Sequence, residues 1–157
     1  VDVFRASADV DIHPRNLLIT VEQSSLDYCE TLIHEARFTN TGPLIAIQAG
    51  ASQGKRQWNP KQFVTLITNL IEKHNARVVL TGAAKEKPII DPIVEGCASR
   101  NVVSVAGKTS VPQLAAMLKM SDVLVTGDTG PMHISVAVGT PVVSMFLASA
   151  YGFETGP

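Results

Sequence analysis

The sequence predicts an α/β domain built on a doubly wound parallel sheet, and three features point there. Short β-branched apolar runs lack polar alternation, as strands buried on both faces do. Stretches with helical spacing separate them, several opened by a capping residue. Gly-, Ser- and Lys-containing loops follow the strands, and ligands bind at that end of such sheets.

Taken in order, residues 1–16 ("VDVFRASADVDIHPRN") read as a linker and 17–157 as the domain. Residues 17–21 ("LLITV") are apolar and β-branched, which predicts a first strand, and a Ser-capped helix over 24–38 follows. "PLIAIQ" (43–48) is a buried strand leading into the polar loop "AGASQGKRQW". Asn59 and Pro60 then open a helix, with Asn as N-cap and Pro at its first position. "RVVLTG" (77–82) is a strand, and a helix over about 85–98 is interrupted early by Pro88 and Pro92. "NVVSVAG" (101–107) is a strand, and Ser110 caps "VPQLAAMLKM". "DVLVTG" (122–127) is a strand, "PMHISVAV" a short helix closed by Gly139, and "PVVSMF" (141–146) the last strand.

With 157 residues, 45% hydrophobic and 17% charged, the chain is sized for one well-buried domain and is not disordered. A net charge of −1 with scattered basic residues gives no footprint for nucleic acid. Cys29 and Cys97 lack C-x-x-C spacing and read as buried free thiols of a reducing compartment, with a single disulfide as the alternative. No run approaches the ~20 apolar residues of a membrane span, and no signal peptide opens the chain. The start at Val1 rather than Met suggests an excised domain or a cleaved product.

Three loops carry unusual chemistry. In "GDTGPMHISVAVGTPV" (127–142), Gly127 and Gly130 allow close backbone approach and Pro131 suits a first helical turn. Thr129 or Gly130 is then the N-cap, and the free N–H groups behind it make an anion site. Thr129 adds a hydroxyl, and His133 in the same turn can face the same anion. Asp128 would repel a phosphate unless it faces hydroxyls instead, so the corner suits a sugar phosphate. A purely structural account competes, in which Asp128 caps the helix, Thr129 satisfies the turn and His133 packs in the core.

The loop "GASQGKRQW" is no Walker A motif: three residues separate Gly50 from Gly54, and Arg56 follows Lys55. Ser52, Lys55 and Arg56 can still neutralise a diphosphate, or stand as a solvated charge pair. Glu86 follows a strand end by four residues, where an acid can accept ribose hydroxyls or simply occupy a helix's first turn. His13, His34, His74 and His133 are far apart, so no metal site is expected, and no G-x-S-x-G elbow is present.

Together, "IQAGASQGKRQWNPKQFVTLI", "VVLTGAAKE", "VAGKTSVPQLAAML" and "SDVLVTGDTGPMHISVAVGTPVVSMF" resemble glycosyltransferase family 9, the ADP-heptose:lipopolysaccharide heptosyltransferases. The resemblance covers roughly residues 43–146, with "DTGPMH" its most specific part. It implies a GT-B fold of two Rossmann-like domains, of which this chain is the C-terminal, nucleotide-sugar-binding half. By that pattern Ser52 and Lys55 contact the diphosphate, with Arg56 competing for the role of Lys55. Glu86 takes the ribose, Thr109 lines the nucleotide side, and Asp128 reaches the donor sugar. Thr129 and Gly130 hold the phosphate with His133 nearby. The family's Gly-Pro-Thr after the last strand is replaced by "FLASAYGFETGP", so Tyr151 or Phe153 is expected to pack against the neighbouring domain.

The implied activity is inverting, metal-independent and cofactor-free transfer of a heptose or related sugar from an ADP-sugar donor. The lipopolysaccharide core acceptor would be met through the absent N-terminal domain, which would also supply the base. The implied location is cytoplasmic, at the inner face of the inner membrane of a Gram-negative bacterium. A non-catalytic nucleotide-binding module and a GT-B nucleotide-sugar epimerase are the alternatives.

Overall fold

A computed structural model describes residues 18–50 and 58–145. Helix α1 (Gln23–Glu35) precedes strand β1 (Leu44–Gln48). Helix α2 (Pro60–His74) and strand β2 (Arg77–Thr81) come next. A 3-10 turn (Ala84–Glu86) leads into α3 (Lys87–Cys97), then β3 (Val102–Ser104) and α4 (Val111–Lys119). Strand β4 (Val123–Gly127), α5 (Gly130–Ala137) and β5 (Val142–Met145) complete the described order.

The five strands form one all-parallel sheet in the order β3-β2-β1-β4-β5. Consecutive side chains of β1 serve opposite faces, and all five of its residues are buried. Ile45 and Ile47 join Val78, Leu80, Phe63, Ile67, Ile90 and Ile93 beneath α2 and α3. Leu44 and Ala46 join Val79, Leu124, Cys29, Met117 and Leu118 beneath α1 and α4. Helices on both faces explain why the strand sequences show no polar alternation.

Local chemistry sets the helix ends. The Asn59 side chain accepts the Lys61 N–H at 2.9 Å, and Pro60 occupies the first turn of α2. Trp58, just before that cap, meets Phe63 edge-to-face with ring centroids 4.9 Å apart, a hydrophobic staple. Helix α2 ends at Asn75 in the left-handed region, φ 55°. Ser110 and Gln113 form a reciprocal capping box at the start of α4.

Three expectations are corrected. Residues 18–22 form no strand: Leu18 is 85% exposed, and the Ile19 N–H donates to the Ala137 carbonyl at the end of α5. The run is apolar enough for a strand but lies over a helix end, where it gains no sheet neighbour. Helix α1 is capped at Glu22 with no side-chain cap bond, and Ser25 is buried within the helix rather than capping it. Pro88 lies in the first turn of α3 and Pro92 within it, yet α3 runs unbroken from Lys87 to Cys97. Pro92 comes early enough that the carbonyl it leaves unpaired lies near the helix start. The expected linker at 1–16, and Tyr151 and Phe153, lie outside the described residues. No helix among the described residues is long and apolar enough to cross a membrane.

Candidate functional site

The sheet order makes β1 the pivot: β2 lies on one side of it and β4 on the other. Connections leaving β1 and β4 diverge at this switch point, so a crevice opens outside their carboxyl ends. The crevice measures about 510 Å³ and takes its walls from the loops after β1, β2, β3 and β4.

Under it runs a row of polar side chains where apolar ones would be expected, and Gln48 is the member of that row that lines the crevice. Gln48 ends β1 and pairs in register with Thr81 of β2 and Thr126 of β4. Gln48 is 5% exposed, and Thr81 and Thr126 are fully buried. Buried polar groups need partners, and each of these has one. The Thr81 hydroxyl donates to Gln48 Oε1 at 2.9 Å. Gln48 Nε2 donates to both carboxylate oxygens of Glu86, at 3.4 Å to Oε1 and 3.3 Å to Oε2. Thr126 Oγ1 lies 2.9 Å from Thr129 Oγ1. The row therefore joins the two ends of the crevice.

At one end, the Glu86 carboxylate is half-buried and lines the crevice. Its Oε2 also accepts the Ala83 N–H at 2.7 Å. Gly50 makes room for it: a Cβ there would overlap the Glu86 carboxylate. At the other end, Thr129 is the N-cap of α5 in an extended conformation with no side-chain cap bond. Its hydroxyl turns to Thr126 instead. Gly130 is exposed, has open space where a Cβ would stand, and its N–H is engaged by no described residue. The helix start thus keeps an outward donor with the α5 dipole behind it.

The third wall is the loop after β3. Gly107 takes φ +71°, and a Cβ there would stand 2.8 Å from that of Ala84, so only glycine fits without strain. Its N–H donates to the Gly82 carbonyl at 2.8 Å, tying this loop to the one after β2. The Tyr28 hydroxyl reaches across from α1 to the Lys108 carbonyl at 2.7 Å. Thr109 is held at the rim, while Ile89, Val111 and Leu114 give that side an apolar surface.

Of the residues singled out from sequence, Glu86, Thr109, Thr129 and Gly130 meet in this crevice. Asp128 and His133 are half-buried beside it and are not part of its wall. Ser52, Lys55 and Arg56 lie outside the described residues, which resume at Trp58. Gln48, Thr81 and the apolar wall were not anticipated. A glutamine closing an otherwise apolar strand was the available signal for the first. Among the described residues no three His, Cys, Asp or Glu side chains cluster to hold a metal.

The profile of glycosyltransferase family 9 (heptosyltransferase) matches residues 2–157. Lipopolysaccharide heptosyltransferase 3 of Escherichia coli (strain K12) is 32% identical over 111 residues, 69% of this chain and 32% of that protein. The chain therefore spans about a third of that relative's length. A family 9 glycosyl transferase from Veillonella parvula superposes with a TM-score of 0.82 at 22% identity, covering 95% of this chain and 43% of that one. The E. coli heptosyltransferase WaaC with ADP-2-deoxy-2-fluoro heptose superposes at 0.62 and 19% identity, over 91% and 42% of the two chains. At such identities the superpositions show a shared fold.

Proposed function

Because this chain belongs to glycosyltransferase family 9 (heptosyltransferase), we propose that it is the donor-binding half of an inverting, metal-independent heptosyltransferase acting on a lipopolysaccharide core. One observation carries this reading. The crevice sets a fixed hydroxyl acceptor, Glu86, opposite an outward helix-terminal donor at Gly130, with an apolar wall between loops. A nucleoside diphosphate presents the complementary sequence of groups: base, ribose diol, then phosphates. The adenine lies against Ile89, Val111 and Leu114, the ribose diol meets Glu86, and the diphosphate reaches the α5 start. The relative bound to an ADP-heptose analogue supports ADP-heptose as the donor class.

In the transfer, a carboxylate of the remaining polypeptide takes the proton of the acceptor hydroxyl. That oxygen attacks the anomeric carbon from the face opposite the nucleotide. The bond from this carbon to the phosphate oxygen breaks, and ADP departs with the electron pair, inverting the configuration. The residues of this chain stabilise the negative charge on the leaving phosphate. The Gly130 N–H and the Thr129 hydroxyl do so from the helix end, and Ser52 with Lys55 or Arg56 from the loop after β1. His133 backs the phosphate site, and Asp128 takes hydroxyls of the heptose. As for the lipopolysaccharide heptosyltransferases it resembles, the work is assigned to the cytoplasmic face of the inner membrane.

Calorimetry with ADP in EDTA tests the reading. Binding without divalent metal is expected, because the phosphate charge is met by N–H groups and cationic side chains. Binding that appears only on adding magnesium would overturn it.

A further inference from the structure

Resting on the assignment of Glu86 to the ribose diol, we propose that Gln48 is a positioning residue that orients the Glu86 carboxylate for that diol, with Thr81 setting the amide. Gln48 lines the crevice but is only 5% exposed, with its amide engaged by Thr81 and Glu86, so its part is played through Glu86.

The register of β1 on β2 puts Gln48 and Thr81 side by side, and the Thr81 hydroxyl donates to the amide oxygen at 2.9 Å. The amide nitrogen therefore faces Glu86. Reversing the amide would press its oxygen against a carboxylate, which is repulsive, so only one orientation satisfies both neighbours. The nitrogen lies nearly equidistant from the two oxygens, at 3.4 and 3.3 Å. These contacts are long, and each is weak by itself. What they supply is direction: the carboxylate cannot rotate about its last bond without losing one of them. The Ala83 N–H holds Oε2 at 2.7 Å, and Gly50 packs where Oε1 lies. Among the described residues Oε1 has only the long amide contact, and its remaining acceptor capacity is offered to a ligand hydroxyl. A carboxylate held on three sides offers that oxygen at low entropic cost when the diol arrives.

A glutamine serving only to satisfy buried Thr81 would leave nucleotide selectivity untouched, and this separates the two roles. The full chain is titrated calorimetrically with ADP and with 2′,3′-dideoxy-ADP, and the ratio of the two dissociation constants is read. Wild type should favour ADP by about 10- to 150-fold, the effect of losing a charge-assisted hydrogen bond, and Glu86→Gln should collapse that ratio. Gln48→Met keeps the side-chain length and removes the amide. It should cut the ratio at least about fivefold while affinity for the dideoxy nucleotide stays within about twofold. Thr81→Val, nearly isosteric, should lower the ratio in the same direction and decides the matter if the methionine variant does not fold. A wild-type ratio near unity would sink the ribose assignment itself. A large wild-type ratio left unchanged by Gln48→Met or Thr81→Val, or equal losses for both nucleotides, would sink the positioning role alone.

Discussion

Replacing Gly50 with alanine is expected to destabilise the chain by about 2–3 kcal/mol, and mainly while Glu86 is present. A Cβ at this position would overlap the Glu86 carboxylate and stand 3.1 Å from its Cγ. The carboxylate can move only by giving up the Ala83 N–H at 2.7 Å and the Gln48 amide. Hydrogen bonds to a charged group are worth roughly 1.5–3 kcal/mol, and half-burial of Glu86 favours the lower part of that range. Overpacking adds about 1 kcal/mol or more, and the lower entropy of an unfolded alanine returns about 0.4–1. For a chain of this size the net change lowers the melting temperature by about 4–12 °C. Thermal unfolding of wild type, Gly50→Ala, Glu86→Ala and the double variant closes a cycle. Removing the Glu86 side chain should relieve the alanine, with a coupling of at least about 1 kcal/mol. A Gly50→Ala cost below about 0.5 kcal/mol, or the same cost in both backgrounds, would refute the reasoning.

Three further outcomes are expected. In the two-domain enzyme that the proposed function assigns to this chain, Asp128→Ala should lower the transfer rate more than ADP affinity, by the roughly 1.5–3 kcal/mol of one charged hydrogen bond; collapse of ADP binding with turnover intact would contradict this. Lys55→Ala and Arg56→Ala should differ, with Lys55→Ala weakening ADP binding about 10- to 150-fold and reducing its salt dependence. Wild-type affinity in both variants would leave the diphosphate to the α5 start alone. Burial pushes the Cys29 thiol up from 9.0 to about 11, outweighing the opposing Met117 backbone hydrogen bond. Between these values the folded chain keeps a proton that the unfolded chain has lost, so stability falls as pH rises through the window and is indifferent to this group below it. Stability measured by denaturation from pH 8 to 11 should therefore decline less steeply in Cys29→Ala than in wild type, and equal slopes would contradict the assignment.

Much of the fold was legible because its signals are local. Asn59-Pro60 and Ser110 with Gln113 act within one turn, so their spacing alone places the starts of α2 and α4. The run at 17–21 misled because apolar periodicity does not say which neighbour an element will meet. The site divides along the same line. Glu86 and Thr129 follow strand ends and could be found from position. The partners that hold them, Gln48 with Thr81 and Thr126, come together only through strand register, across 33 residues for the Thr81–Gln48 bond. Glycine at position 50 was legible as a loop residue, but its close approach to Glu86 depends on the packing of two separate loops.

The central place of β1 also bears on how the chain reaches this state. Its hydrogen-bonding partners are Arg77–Thr81 on one side and Val123–Thr126 on the other. A ribosome releasing the chain from its N-terminus delivers the first partner well before the second. Until Val123 has emerged, β1 keeps one edge bare, with Leu44 to Gln48 presenting an apolar, β-prone template to other chains. Long-range parallel pairing of this kind closes slowly, since loop entropy must be lost before the contacts form. The strand that organises the crevice in the finished molecule is thus the stretch most exposed to misassociation while the molecule is being made.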